Sequence, residues 1–261
     1  MKLFLGAIGL RGPGLNGWEA SAPILAGKAP YLPAPTAIPP ATLLPPNERR
    51  RAPQTVKLAL AVGAEAFACA GMAPSDCAAV FASSGGDGET IHGILATLAG
   101  PVRELSPTRF HNSVHNVAAG YWSIATGAKT PATSLCAHDG SLAAGLLEAG
   151  AQALAGGTVA MIAYDLPYPE PLASVRHIGA AFGVALLLSP VASAGSLARL
   201  EIELCAPGDY ACVIPELEAL RRDIPAARIL PLLEALARGE ETVVALEYFE
   251  DLALAVRVMP L

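Results

Sequence analysis

One stretch constrains the fold more than any other. Residues 130–164 read as a β-rich run, a tight turn, a helix, a glycine pair and a second β-rich run. The run at 131–137 leads into the turn around Asp139, residues 141–155 are crowded with Ala, Gly and Leu, Gly156 and Gly157 stop the helix, and TVAMIAY at 158–164 resumes β propensity. Two strands joined through a helix lie parallel in one sheet with a right-handed crossover, so this segment alone predicts an α/β fold. Small residues along the helix imply very close packing. The turn gathers Cys136, His138, Asp139 and Ser141. A helix start offers unpaired N–H groups and the positive end of the helix dipole, which suits an oxyanion or an activated nucleophile.

The flanking chain supplies the remaining elements. MKLFLGAIGL at 1–10 has too short an apolar core for a leader, lacks a small-residue cleavage site after it, and reads as the first buried strand. Between Pro23 and Pro53 the prolines, among them Pro30, Pro33, Pro39, Pro40, Pro45 and Pro46, exclude regular helix and central strand and predict an ordered surface arm. Residues 54–70 form a helix framed by Pro53 and Gly71, apolar on nearly every side and therefore buried. AAVFAS at 78–83 is a short strand that leads through Ser84-Gly85-Gly86-Asp87-Gly88 into helical spacing at 89–98. Residues 110–125 read as one helix of small and aromatic residues. Strands at 182–188 and 197–204 follow, then a helix at 226–238. The chain ends in a hairpin of 242–248 with 252–259, turning at Phe249, Glu250 and Asp251.

The 261 residues show no break in composition, which predicts one compact unit. Hydrophobic residues make up 53% and charged residues 15%, against about 25% charged in an average globular domain. The surface is therefore unusually apolar, and the surplus points to a partner surface. No run approaches the roughly 20 apolar residues that span a bilayer. The five cysteines (Cys69, Cys77, Cys136, Cys205 and Cys212) contain no CxxC pair and cannot all pair with one another, being odd in number. That usage predicts a reduced, cytoplasmic protein. A net charge of −6 without a basic stripe argues against nucleic acid. Arg49, Arg50 and Arg51 read as a solvated helix approach.

Cys136 and His138 sit two apart on an extended run and share a face, with Asp139 on the other. A Cys-His-Asp relay needs the imidazole between thiol and carboxylate, which near-consecutive residues seldom reach, so Cys136 taken alone reads as an inert buried thiol. His111 and His115 have the spacing of an HExxH zinc site. HNSVH, however, lacks the glutamate base and an obvious third ligand, so no metal is expected. His92 and His177 stand alone. The GGDG loop has neither the GxGxxG pattern nor the lysine of a phosphate loop, and no cofactor is expected there.

Residues 107–141, PTRFHNSVHNVAAGYWSIATGAKTPATSLCAHDGS, resemble the β-ketoacyl synthases, condensing enzymes of the thiolase superfamily. In that family a helix bearing Asn and then Ala-Gly is followed by Gly-Pro, an apolar strand, and the nucleophilic Cys at a strand-to-helix elbow. Asn116, Ala119 and Gly120, Pro131 and the strand at 133–136 keep that order without a gap. The family's cysteine position then falls on Asp139, with Cys136 one short step earlier on the strand. A carboxylate cannot form the acyl thioester from which condensation proceeds. The two histidine motifs of the family's second half, resembling HGTGT and GFGG, have no counterpart after Leu188.

The resemblance covers roughly residues 1–205 and implies a layered αβαβα thiolase-like fold with a shortened C-terminal half. Residues 1–261 would form one thiolase-like domain, with 1–190 as its first half and 191–261 as its second. Within the family the chain resembles the small chain-length-factor-like proteins of aryl-polyene and type II polyketide pathways. That implies a subunit without independent activity, in a heterodimer with an active β-ketoacyl synthase and served by an acyl carrier protein. Asn116, Thr133, Ser134, Leu135 and Cys136 would lie at the dimer interface, and Thr108, Arg109, Phe110, Ser113 and Val114 would reach towards the partner's acyl pocket and limit chain length. Asp139 would cap the following helix through the N–H groups near Leu142. The alternatives are an active acyltransferase or hydrolase using Cys136 with His138, and a thiolase-like protein that only scaffolds a complex.

Overall fold

In the computed structural model, which describes residues 1–261, the N-terminal run is β1 (Lys2–Gly12), with the two-residue β2 (Leu15–Asn16) folded back on its end. α1 (Trp18–Leu25) and α2 (Pro46–Arg51) frame the proline arm, and α3 (Gln54–Ala70) follows. Next come β3 (Ala78–Ala82), α4 (Gly88–Ala99), α5 (Pro107–Asn112), α6 (Val117–Thr126) and β4 (Ala132–Leu135). α7 (Ser141–Gly156) and β5 (Val159–Asp165) complete the strand-helix-strand unit. The short α8 (Leu172–Val175) lies on the way to β6 (Phe182–Ser189) and β7 (Ala198–Cys205). The chain closes with α9 (Pro215–Asp223), a 3₁₀ turn (Pro225–Ile229), α10 (Leu230–Arg238) and the hairpin of β8 (Thr242–Phe249) and β9 (Leu252–Pro260).

The strands make one mixed sheet in the order β4-β3-β5-β6-β1-β7-β9-β8, with β2 beside β1. β3 runs parallel to β4 and β5, as the helical crossover requires, and the remaining pairs are antiparallel. β5 is buried at every residue and β6 at all but the last, because packed elements cover both faces. β7 alternates instead: Leu200 and Ile202 point to the core, while Arg199 and Glu201 lie on an outer face open to solvent beside Arg257 and Val243.

α3 packs on β1, β5 and β6 and, with Tyr121 and Trp122 of α6, builds the core on one side of the sheet. α7, α10 and the 3₁₀ turn build the core on the other. α7 touches β3, β4 and β5 at one end of the sheet and β8 at the other, so the sheet wraps around this helix. The wrapping presses the end of β8 against the turn before α7. A methyl group on Gly140 would come within 2.5 Å of the Tyr248 carbonyl oxygen, so that turn requires glycine.

Several boundaries differ from the sequence expectation. Pro23 lies inside α1, and Pro46 opens α2, where a missing N–H costs nothing. The helix expected over 110–125 is broken into α5 and α6. The Ser113 hydroxyl donates to the Phe110 carbonyl, and Asn112 is tied to Arg51 and Tyr121 by its side-chain hydrogen bonds. The strand expected over 131–137 stops at Leu135, and the helix expected from 226 opens as a 3₁₀ turn, with the Asp165 carboxylate accepting from the Ala226 N–H. No helix is long and apolar enough to cross a membrane.

Candidate functional site

After Leu135 the chain leaves the sheet and turns sharply at His138, whose φ of 51° is the one positive value at a non-glycine residue. Backbone bonds close the turn, from Gly140 N–H to the Ala137 carbonyl (3.0 Å) and from Ser141 N–H to the His138 carbonyl (3.2 Å). Ser141 is buried, and its hydroxyl accepts from Ala137 N–H (2.9 Å) while donating to the His138 carbonyl (2.6 Å). It staples the elbow and is not free to attack anything. A left-handed non-glycine residue costs about 1 kcal/mol or more, and a β-branched one costs most. His138→Val is therefore expected to lower stability by about 1–2 kcal/mol in urea unfolding, with His138→Gly at or above the parent.

Asp139 is held from two sides. Arg176 Nη2 donates to Oδ1 at 2.7 Å, and Arg228 reaches the Asp139 carbonyl through Nη1 (3.1 Å) and Oδ2 through Nη2 (3.4 Å). Arg228 Nη1 also lies 3.0 Å from Glu247 Oε2, and Glu247 pairs with Arg221, which Glu218 holds at 2.7 Å. A chain of ion pairs thus runs from the elbow through β8 to α9. The expected capping role does not hold. The residue before α7 is Gly140, no side chain caps the helix, and the guanidinium groups take the carboxylate instead. Burial alone would raise the Asp139 pKa, but the hydrogen bond and charge of Arg176, with Arg228 and His138 behind it, outweigh that and hold it below the usual carboxyl range.

Cys136 is exposed, contrary to the buried thiol expected of it, and its Sγ donates to the Ser84 carbonyl at 3.3 Å. The strand ends before it, so Cys136 and His138 do not share a strand face. The His138 side chain is 69% exposed, with Nδ1 3.5 Å from Asp139 Oδ1. The turn therefore brings imidazole and carboxylate together and leaves the thiol with another partner. The pair His111 and His115 is split by the break between α5 and α6. His111 meets the Tyr121 ring edge-on at 6.0 Å, and His115 Nε2 lies 3.3 Å from the Ser83 carbonyl.

The glycine loop beside the elbow is rigidly held. Asp87 caps α4 by accepting from Thr90 N–H (2.7 Å) and also accepts from the Thr55 hydroxyl (2.6 Å). Asp165, at the end of β5, accepts from Ser84 N–H (2.8 Å), from the hydroxyls of Ser84 (2.7 Å) and Ser83 (3.3 Å), and from Ala226 N–H (2.9 Å). Its complete burial pushes its pKa up to about 6 against the pull of those donors. None of the five main cavities is lined by Cys136, His138 or Asp139. Arg176, Arg228, Glu247 and Asp165 carry no motif, and spacing in the sequence does not find them.

The residues expected to face a partner lie in two segments, one at β4 and the start of α6 and the other at α5. Thr133, Ser134 and Leu135 are in β4, an end strand of the sheet that pairs with β3 on one side and with nothing on the other. α6 packs against β4 and begins after the exposed Asn116. Phe110 and Val114 are 64% and 47% exposed, and Leu95 and Leu98 of α4 and Val102 after it are exposed as well. Arg109 reaches back to the Gly93 carbonyl (3.4 Å), Ser113 closes the end of α5, and Thr108 lines a cavity of about 480 Å³ with Arg51, His111 and Tyr121.

A family model described as the β-ketoacyl synthase N-terminal domain matches residues 25–211. No curated protein matches the chain. Among solved structures, the ketosynthase ApeO in complex with its chain length factor ApeC from Xenorhabdus doucetiae matches with a TM-score of 0.76. Its identity is 23%, over 98% of this chain and 99% of that one. The ishigamide ketosynthase/chain length factor has a TM-score of 0.74 at 14% identity over the whole of both chains. AntDE:AntF, a type II polyketide acyl carrier protein in complex with its ketosynthase, has 0.73 at 11% over 100% of this chain and 99% of that one. At these identities the likeness is one of fold, the thiolase-like fold of ketosynthases.

Proposed function

The chain belongs to the β-ketoacyl synthase N-terminal domain family, and from that premise we propose that it is a chain-length-factor-like subunit without condensing activity. It pairs with an active β-ketoacyl synthase and helps set the length of an acyl or polyene chain delivered on an acyl carrier protein. The observation that carries this reading is Asp139. It stands where the family resemblance puts the nucleophilic cysteine, and its carboxylate is engaged by Arg176 and Arg228. Such a group forms no thioester. Ketosynthases occur with a chain length factor and with a carrier protein in the solved complexes of similar fold, and the same two kinds of partner are assigned here.

The two ends of the sheet support a paired state. An open strand edge invites another chain, and proteins guard such edges with charge. At the β8 end Glu240, Glu241, Glu250 and Asp251 flank the strand. At the β4 end the strand is Ala-Thr-Ser-Leu, without a charge. The guarded edge faces water and the bare one faces the partner. In this reading Asn116, Thr133, Ser134, Leu135 and Cys136 meet the partner, and Thr108, Arg109, Phe110, Ser113 and Val114 act at its acyl pocket.

Co-expression with a ketosynthase and carrier protein encoded beside it is expected to yield a stable complex. Phe110→Ala or Ser113→Trp is then expected to shift the product lengths made by the reconstituted pair. A chain that stays monomeric, or product lengths unmoved by both substitutions, overturns the proposal. Labelling by a thiol-directed acyl probe that disappears in Cys136→Ala would replace it with an acyltransferase acting through the exposed thiol.

A further inference from the structure

Residues 166–181 connect β5 to β6 across the elbow, and we infer that they form a strap latched over it at two points and releasable without opening the sheet. The first point is Tyr168. A methyl on Gly85 would overlap its hydroxyl, and one on Gly88 would overlap its ring. The two glycines of the loop thus form a slot that the tyrosine fills. The second point is Arg176, whose guanidinium stands near the Tyr168 phenol and donates to Asp139 Oδ1 at 2.7 Å. Slot, phenol, guanidinium and carboxylate form one continuous line from the glycine loop to the elbow.

Away from its ends, where Leu166 packs on the core and the Ala181 carbonyl accepts from the Thr36 hydroxyl, little else holds the strap. From 166 to 177 no residue is fully buried, the only helix is the four-residue α8, and Val175 is 82% exposed. Ile178 re-enters the core just before β6. A segment with so few apolar contacts opens at low free energy unless specific bonds pin it. Here those are the tyrosine in its slot and the arginine on Asp139. The latch gives the glycine loop a use that its sequence did not disclose, and makes Asp139 the fastening point of a cover over its own elbow. It stands apart from the chain-length reading, because it concerns the isolated chain and its test needs no partner.

Hydrogen exchange followed by mass spectrometry on the intact protein tests it. Gly85→Ala places a methyl in the slot at a position that does not need positive φ. It is expected to raise exchange in peptides from 166–181 about tenfold, roughly the loss of one pinning bond, while β5 and β6 keep their protection. Asp139→Asn removes the charge at the other point and is expected to act on the same peptides, with faster tryptic cleavage after Arg176. Tyr168→Phe leaves the ring in its slot and is expected to fall between the parent and Gly85→Ala. Unchanged exchange over 166–181 in both Gly85→Ala and Asp139→Asn overturns the latch. Exchange rising equally in β5 and β6 also overturns it, since the strap would then open only with the sheet.

Discussion

Ser134→Pro is expected to leave the isolated chain folded and to abolish its pairing with a ketosynthase. The register of β4 explains why. Ala79 N–H donates to the Pro131 carbonyl and Ser83 N–H to the Leu135 carbonyl. In a parallel ladder alternate residues bond to the same neighbour, so 131, 133 and 135 face β3, and the N–H groups of Ala132 and Ser134 face the open edge. Proline at 134 removes an outward donor and puts its ring where a partner strand would lie, while the bonds to β3 stay intact. The dissociation constant is expected to rise at least about a hundredfold, near 3 kcal/mol, with the thermal midpoint of the free chain moved by only a few degrees. Calorimetric titration against the ketosynthase measures the first and a melting curve the second. An unaltered dissociation constant would remove β4 from the interface.

Asp165→Ala is expected to cost about 4 kcal/mol, the largest single loss of stability anticipated in the chain. It leaves the Ser84 and Ala226 N–H groups and the hydroxyls of Ser83 and Ser84 without their acceptor in a fully buried site. The same residue gives the chain a pH signature. Its native pKa of about 6 lies above the roughly 3.9 of an unfolded aspartate. Between those values the native state keeps a proton that the unfolded state has released, so this group's contribution falls as pH rises from about 4 to about 6. The total change is of order 3 kcal/mol, present in full below the lower value and lost above the upper one. Asp165→Asn cannot titrate. The stability difference between parent and Asn variant should therefore favour the parent more at pH 4 than at pH 7. Urea unfolding across that range decides the matter, and parallel profiles would mean that burial does not shift the group.

The elements that carry their own local signals were legible. α3 begins and ends where Pro53 and Gly71 place it, and the strand-helix-strand unit from β4 to β5 stands as its pattern predicted. α9 was legible in principle, since Pro215, the acidic first turn and the basic last turn mark a helix, but it buries only Leu217 and Arg221 and has no apolar stripe to announce it. The break between α5 and α6 was not legible. Asn112 and Ser113 read as neutral helix residues until their partners, Arg51, Tyr121 and Phe110, are in place.

At the elbow the division is sharper. Sequence by itself determined that a strand meets a helix through a glycine-bearing turn, and that a carboxylate stands in that turn, because these depend on neighbours in the chain. Only the tertiary structure decided what that carboxylate does. Asp139 caps nothing because Arg176 and Arg228, brought in from the strap and the 3₁₀ turn, offer charged donors stronger than the N–H groups of its own helix. Cys136 is exposed because the left-handed turn at His138 ends the strand short, and β4 lies bare because of its place at the end of the sheet. Local pattern fixes where the backbone bends. Which side chains meet across the bend depends on contacts between residues far apart in sequence, and no spacing encodes those.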